Sequence, residues 1–191
     1  LAEETTRQII ESGGNVQISS PVDKIFPNDD GTWLCKGKWG SIEADRIVAT
    51  TALPLVADMI KDWAPTNYLQ NLNSIDYLAN ICLVLRLDRS LSTTYWLNVN
   101  DPSFPYVGVI EHTNFETPET YGGDHVVYLS KYLPHTDELY NMTDEEIMKF
   151  SVPHLQRMFP DFNNDWVRNY HVWRARWSQP VVGKSYSKLI P

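Results

Sequence analysis

Five histidines, two cysteines and one Trp-Arg-Ala-Arg-Trp run are the side chains best able to do chemistry in this chain. His112, His125, His135, His154 and His171 are scattered, with no His-x-x-x-His or Cys-x-x-Cys spacing to bring two ligands onto one metal. They read as surface or singly hydrogen-bonded histidines, and no metal is expected. Alternation along Trp173-Arg174-Ala175-Arg176-Trp177 would put both indoles on one face and both guanidiniums on the other. Two readings stay open: exposed arginines on an edge strand, or a clamp for a carboxylate or phosphate. Tyr95, Trp96, Tyr106, Tyr128, Tyr132, Trp173, Trp177 and Tyr186 either fill a core or line an apolar cavity with a few polar groups. No Gly-x-Ser-x-Gly elbow or phosphate-binding P-loop occurs. Asn141-Met142-Thr143 spells a glycosylation sequon, yet Thr143 stands three residues before Glu146 and reads better as a helix cap.

Composition narrows the class. The net charge of −8 argues against a nucleic-acid or anionic-membrane partner, and 42% hydrophobic residues suit a globular core. No run approaches the roughly 20 apolar residues of a membrane helix. Cys35 and Cys82 sit in apolar, strand-like contexts, so free thiols and a cytoplasmic location are expected.

The elements that must position these groups alternate in type along the chain. Leu1–Ser12 reads as a helix closed by Gly13-Gly14. Residues 15–19 and 22–26 read as strand, Asn28-Asp29-Asp30-Gly31 as a hairpin turn, and residues 32–38 as the returning strand. Ile47-Val48-Ala49 reads as a short strand buried on both faces, and residues 53–63 as a helix. Beyond Ala64-Pro65 come a short helix near Tyr68–Leu72, a long strand over Tyr77–Leu87, and strands over 95–99, 106–112, 126–132 and 166–177. A capped helix starts at Thr143, and Pro153 should kink or restart it. The fold class is α+β: a β-meander stub over residues 1–60, then a mixed, largely antiparallel sheet with flanking helices over 61–191.

The order helix, Gly13-Gly14-x-Val16, Val22, hairpin, Ala44-Asp45-x-Ile47-Val48-Ala49-Thr50-Thr51-x-x-Pro54 resembles the second FAD-contacting segment of the flavin amine oxidase superfamily. That superfamily includes monoamine oxidases, protoporphyrinogen oxidases, phytoene-type desaturases and, more distantly, UDP-galactopyranose mutases. Ile110–Phe115, Tyr128–Tyr132 and Arg176-Trp177-Ser178-Gln179-Pro180 resemble its substrate domain. The resemblance implies FAD as cofactor, with the Val22 backbone at the adenine end and Thr50 and Thr51 near the dinucleotide. Residues 1–60 would be part of an FAD-binding domain and 61–191 a substrate domain whose pocket draws on Tyr95, Tyr106, Tyr128 and Arg176. No general base is assigned. No lysine occurs between Lys61 and Lys131, which points away from amine oxidation toward desaturase- or porphyrinogen-like chemistry. The chain opens on Leu1 and lacks the Gly-x-Gly-x-x-Gly phosphate loop. The expectation is an internal piece of a larger dehydrogenase, inactive and weak in FAD binding by itself, whose partners are a small-molecule substrate and the remainder of the FAD domain. The alternatives are a non-catalytic small-molecule or protein-binding module and a mutase-like flavoprotein.

Overall fold

The computed structural model describes residues 1–188, which fall into two compact units. One comprises Leu1–Ile75 with the segment from Ser185; the other is Asp76–Lys184. The architecture is α+β, with a three-stranded and a five-stranded antiparallel sheet.

In the first unit, α1 (Ala2–Glu11) ends in a Schellman turn: Gly13 N–H bonds the Ile10 carbonyl, and Gly14 N–H bonds that of Ile9. Gly13 has φ 85°, which a residue with a Cβ reaches only at a cost. Strands β1 (Lys24–Pro27), β2 (Trp33–Gly37) and β3 (Gly40–Ala44) form a meander. The hairpin turn lies where its residues demand it, with Gly31 at φ 86°. The helix after the meander is α2 (Leu53–Ile60), and α3 (Thr66–Asn73) follows. Leu72 of α3 is buried with Ala57 and Ile60 of α2 and with Ile25 and Cys35 of the meander. That shared core explains why the division falls after Ile75, beyond the change of composition near residue 60.

Two sequence expectations fail in this unit. Residues 15–19 form no strand. Ile47-Val48-Ala49 runs without strand pairing, and Val48 is 86% exposed. An apolar run becomes a buried strand only if neighbours supply a hydrogen-bonded ladder on its edges, and none of the described strands pairs with it.

In the second unit the sheet order is β5-β6-β7-β4-β8. Its strands are β4 (Tyr77–Leu87), β5 (Trp96–Asn98), β6 (Gly108–Glu111), β7 (His125–Leu133) and β8 (Val167–Pro180). Alternation sets its two faces. Ala79, Ile81, Leu83, Leu85 and Leu87 are fully buried, whereas their even-numbered neighbours on β4 are not. The buried face packs on Ile147, Met148 and Leu155 of α5 (Asp144–Met158), which follows the single turn α4 (Glu138–Asn141). Each fully buried leucine stabilises this face by roughly 1.5–3 kcal/mol.

Thr143 and Glu146 form the anticipated capping box of α5. The helix nevertheless runs on through Pro153 without restarting. Its apolar side is anchored both before and after the proline, by Ile147 and Met148 and by Leu155. That burial offsets the one backbone bond the proline cannot make.

Candidate functional site

The second unit leaves one face of its sheet largely bare. Strand register places three rows of side chains across that face. One is Trp96–Ile110–Tyr128–Val84–His171, the next Asn98–Gly108–Ser130–Cys82–Trp173, and the third Tyr132–Asn80–Ala175. Trp173 is 66% exposed, Trp96 53% and Tyr132 46%. These three rows carry no carboxylate, ammonium or guanidinium. Asn80 Nδ2 donates to Ser130 Oγ (3.0 Å) and to the Lys131 carbonyl (3.1 Å), which holds the polar centre of the face in place. Burial raises the Cys82 thiol above its ordinary value, so the neutral thiol prevails there.

The rim of this face is set by Glu111, the last residue of β6. Its carboxylate, 1% exposed, accepts from Ser90 Oγ (2.6 Å), Leu91 N–H (3.1 Å) and Ser92 N–H (2.9 Å). It thereby pins the β4–β5 loop that delivers Tyr95. Tyr95 packs on Phe115, ring centroids 5.2 Å apart. His112 follows Glu111, lies 5.8 Å from the Tyr128 ring, and its Nε2 is 2.7 Å from the Tyr121 hydroxyl. The Tyr128 phenol is raised mainly by burial.

The four substrate-pocket candidates separate. Tyr95 and Tyr128 belong to the same aromatic rim. Tyr106 does not: it is 1% exposed in the core, and its hydroxyl is 2.6 Å from Ser151 Oγ. Ser151 Oγ donates its one hydrogen to the Ile147 carbonyl (2.6 Å), so Tyr106 is the donor of the pair. Arg176 lies over the Trp177 ring at 5.0 Å. The paired-guanidinium clamp is absent because β8 is irregular opposite Leu78–Asn80. Arg174 is instead consumed by Asp144 (2.7 Å) and by the carbonyls of Tyr140 and Met142. The sequence reading left His112 among five surface or singly hydrogen-bonded histidines, and its one hydrogen bond, to Tyr121, fits that reading. Period-two alternation from Ile110 was the signal that could have set it on the open face.

The first unit contains the cofactor-segment candidates. Val22 is half-buried against the unit's core, together with Ile47. It lines a 240 Å³ hollow with Asn15, Gln17, Ser20, Trp39 and Ile42. Trp39 Nε1 donates to the Pro21 carbonyl (2.6 Å), and Asp23 N–H bonds the Lys36 carbonyl, so both neighbours of Val22 are held. The Val22 N–H and C=O make no backbone hydrogen bond among the described residues. A donor and an acceptor on one fixed residue suit the edge of a heteroaromatic ring. A second, open cavity of about 530 Å³ is lined by Ile47, Val48 and Ala49 with Trp33, Trp63 and Tyr68 among others. Thr50 and Thr51 are exposed just beyond it. Among the described residues, no group of three or more His, Cys, Asp or Glu side chains could hold a metal. No described helix is long and apolar enough to cross a membrane.

The family model for flavin containing amine oxidoreductases matches residues 2–191. This chain belongs to that family. The family is described as flavin containing. Among curated relatives of this chain, the 15-cis-phytoene desaturase of Glycine max is 27% identical over 154 residues. The match takes in 78% of the chain and 26% of the desaturase, so the chain spans about a quarter of that relative's length. The fold is shared with a structure described as a putative protoporphyrinogen oxidase from Exiguobacterium sp. 255-15 (TM-score 0.72, 15% identity, 98% of this chain and 41% of that one). It is also shared with reduced UDP-galactopyranose mutase (TM-score 0.68, 11% identity, 94% and 39%).

Proposed function

We propose that this chain supplies the substrate face and part of the cofactor site of an FAD-dependent dehydrogenase acting on a neutral, apolar molecule. The observation that carries this reading is the open sheet face: aromatic, exposed, and uncharged across three rows. A protonated amine is best held by a carboxylate beside its charge, and a carboxylated ring by arginines or lysines, none of which stands in the three rows. A hydrocarbon needs only apolar contact, for which aromatic rings and Val84 and Ile110 suffice. The phytoene named in the curated relatives has that chemistry.

When bound, the flavin supplies a hydride acceptor. The chain's own residues do the rest. Tyr95, Tyr128 and Trp173 bind and orient the substrate, and their bulk excludes water. Arg176 stands outside the three rows and serves the approach to the face. In the first unit, the Val22 N–H and C=O engage the adenine end of FAD, and Thr50 and Thr51 lie along the dinucleotide. Val48, apolar and exposed, is the edge on which the remainder of the FAD domain pairs.

A mutase-like reading draws on the similarity to UDP-galactopyranose mutase. A nucleotide sugar carries two phosphates and would need free cations at the face. Arg86, at its margin, is already engaged by Asp124, and Arg176 lies over Trp177 outside the three rows, so dehydrogenation is favoured. The experiment is to purify the full-length polypeptide with added FAD and record its visible spectrum. A bound flavin spectrum is expected. A protein that stays colourless refutes the reading and favours a plain binding module.

A further inference from the structure

We propose that His112 and Tyr121 form a proton-accepting dyad on the open sheet face. The inference rests on the dehydrogenase reading and supplies a group which that reading leaves unassigned. Removing hydride from one carbon to make a double bond requires a proton to leave the neighbouring carbon.

The fold presents His112 for this task. Glu111, the last residue of β6, pairs with Val127 and is buried on the covered side, and His112 opens the 3-10 turn His112–Asn114 that follows it. The His112 ring lies 5.8 Å from that of Tyr128, a member of the first row, and 6.4 Å from that of Phe115. Tyr121 is brought to it by the 3-10 turn Pro118–Tyr121, which Gly122 closes at φ 69°. His112 Nε2 and the Tyr121 oxygen are 2.7 Å apart; the dyad takes Nε2–H as the donor of this pair, which leaves the imidazole lone pair on Nδ1. Nδ1 makes no hydrogen bond among the described residues and is not among the buried unpartnered atoms. The contrast is His125, whose Nδ1 is buried and 3.8 Å from Glu111, on the covered side. His171 shares the open face but has no hydrogen bond to fix its tautomer among the described residues.

The step balances as follows. The C–H beside the site of hydride loss gives its proton to His112 Nδ1. Its electron pair would become the π bond as the hydride leaves the adjacent carbon, a bound oxidised flavin being the group that would accept it. The imidazolium then returns a proton to solvent.

Two measurements test this. In nitrogen-15 NMR of the full chain, neutral His112 is expected as the Nε2–H tautomer, and Tyr121→Phe should mix the two tautomers. A wild-type Nδ1–H tautomer overturns the dyad. In the full-length, flavin-loaded protein, anaerobic mixing with 15-cis-phytoene should reduce the flavin. His112→Gln should slow that reduction about 10²–10⁴-fold with an unchanged flavin spectrum, whereas His135→Gln, in an exposed turn, should not. A His112→Gln protein that is reduced at the wild-type rate sinks this inference alone. A wild-type protein that binds flavin but is never reduced sinks the dehydrogenase reading, and this inference with it.

Discussion

Replacing Ser151 with alanine should destabilise the chain more than replacing Tyr106 with phenylalanine, although each change removes one hydroxyl of the same pair. The structure sets the asymmetry. Ser151 spends its hydrogen on the Ile147 carbonyl and receives that of Tyr106, both at 2.6 Å. Ser151→Ala therefore strands a buried phenolic donor, at about 1–3 kcal/mol. Tyr106→Phe leaves Ser151 its donor bond and forfeits one neutral hydrogen bond, at about 0.5–1.5 kcal/mol. The double variant should lie close to Tyr106→Phe alone, because no orphan donor then remains. Thermal unfolding followed by near-UV circular dichroism reads these differences as roughly 2–4 °C per kcal/mol. A second signature comes from pH. Burial pushes the Tyr106 phenol up from 10.0 to about 12. Its folded value exceeds its unfolded one, so its contribution is complete below pH 10 and fades as pH rises toward 12. Tyr106→Phe should lack that increment of alkaline destabilisation. The reasoning fails if Tyr106→Phe costs as much as Ser151→Ala. It also fails if Tyr106→Phe abolishes flavin reduction while leaving the melting temperature unchanged, which would make Tyr106 a pocket residue.

Two other perturbations probe the frame. A Cβ at Gly37 would collide with the Pro21 carbonyl and the Trp39 indole. Gly37→Ala should cost about 1–3 kcal/mol and weaken FAD binding to the full-length protein through displacement of Val22; titration calorimetry with unchanged affinity would contradict the Val22 assignment. Asp124, buried and bonded by Arg168 and then Arg86, has its carboxyl held below the usual range. Its stabilisation is therefore present above the unfolded pKa of about 3.9 and is lost as pH falls through the lower folded value. Asp124→Asn should cost about 1–2 kcal/mol at neutral pH, since both arginines remain half-exposed. The gap to wild type in urea midpoints should close below about pH 4; a gap independent of pH would refute the ion-pair account.

The sequence was most readable where one local rule governs an element. A long run rich in apolar and β-branched residues gave β4 its full extent, and Thr143 with Glu146 marked the start of α5. It was least readable where tertiary partners decide. Ile47-Val48-Ala49 has the composition of a buried strand but no ladder to join among the described residues. Pro153 is tolerated because packing on both sides of it outweighs one missing bond. In the site, Tyr95, Tyr106 and Tyr128 were read alike as pocket residues, and the structure sets Tyr106 apart in the core, since residue type does not reveal which face a tyrosine takes. Arg174 and Arg176 diverge because a strand irregularity interrupts the alternation that would have paired them. His112 gains meaning only from Tyr121, nine positions along the chain and across a turn.

The most direct test of the account is anaerobic mixing of the flavin-loaded, full-length protein with two probes, 15-cis-phytoene and a primary amine. An uncharged aromatic face predicts loss of the oxidised flavin spectrum with the hydrocarbon, accompanied by a newly formed conjugated double bond, and no change with the amine. Reduction by the amine, with the hydrocarbon inert, would contradict it.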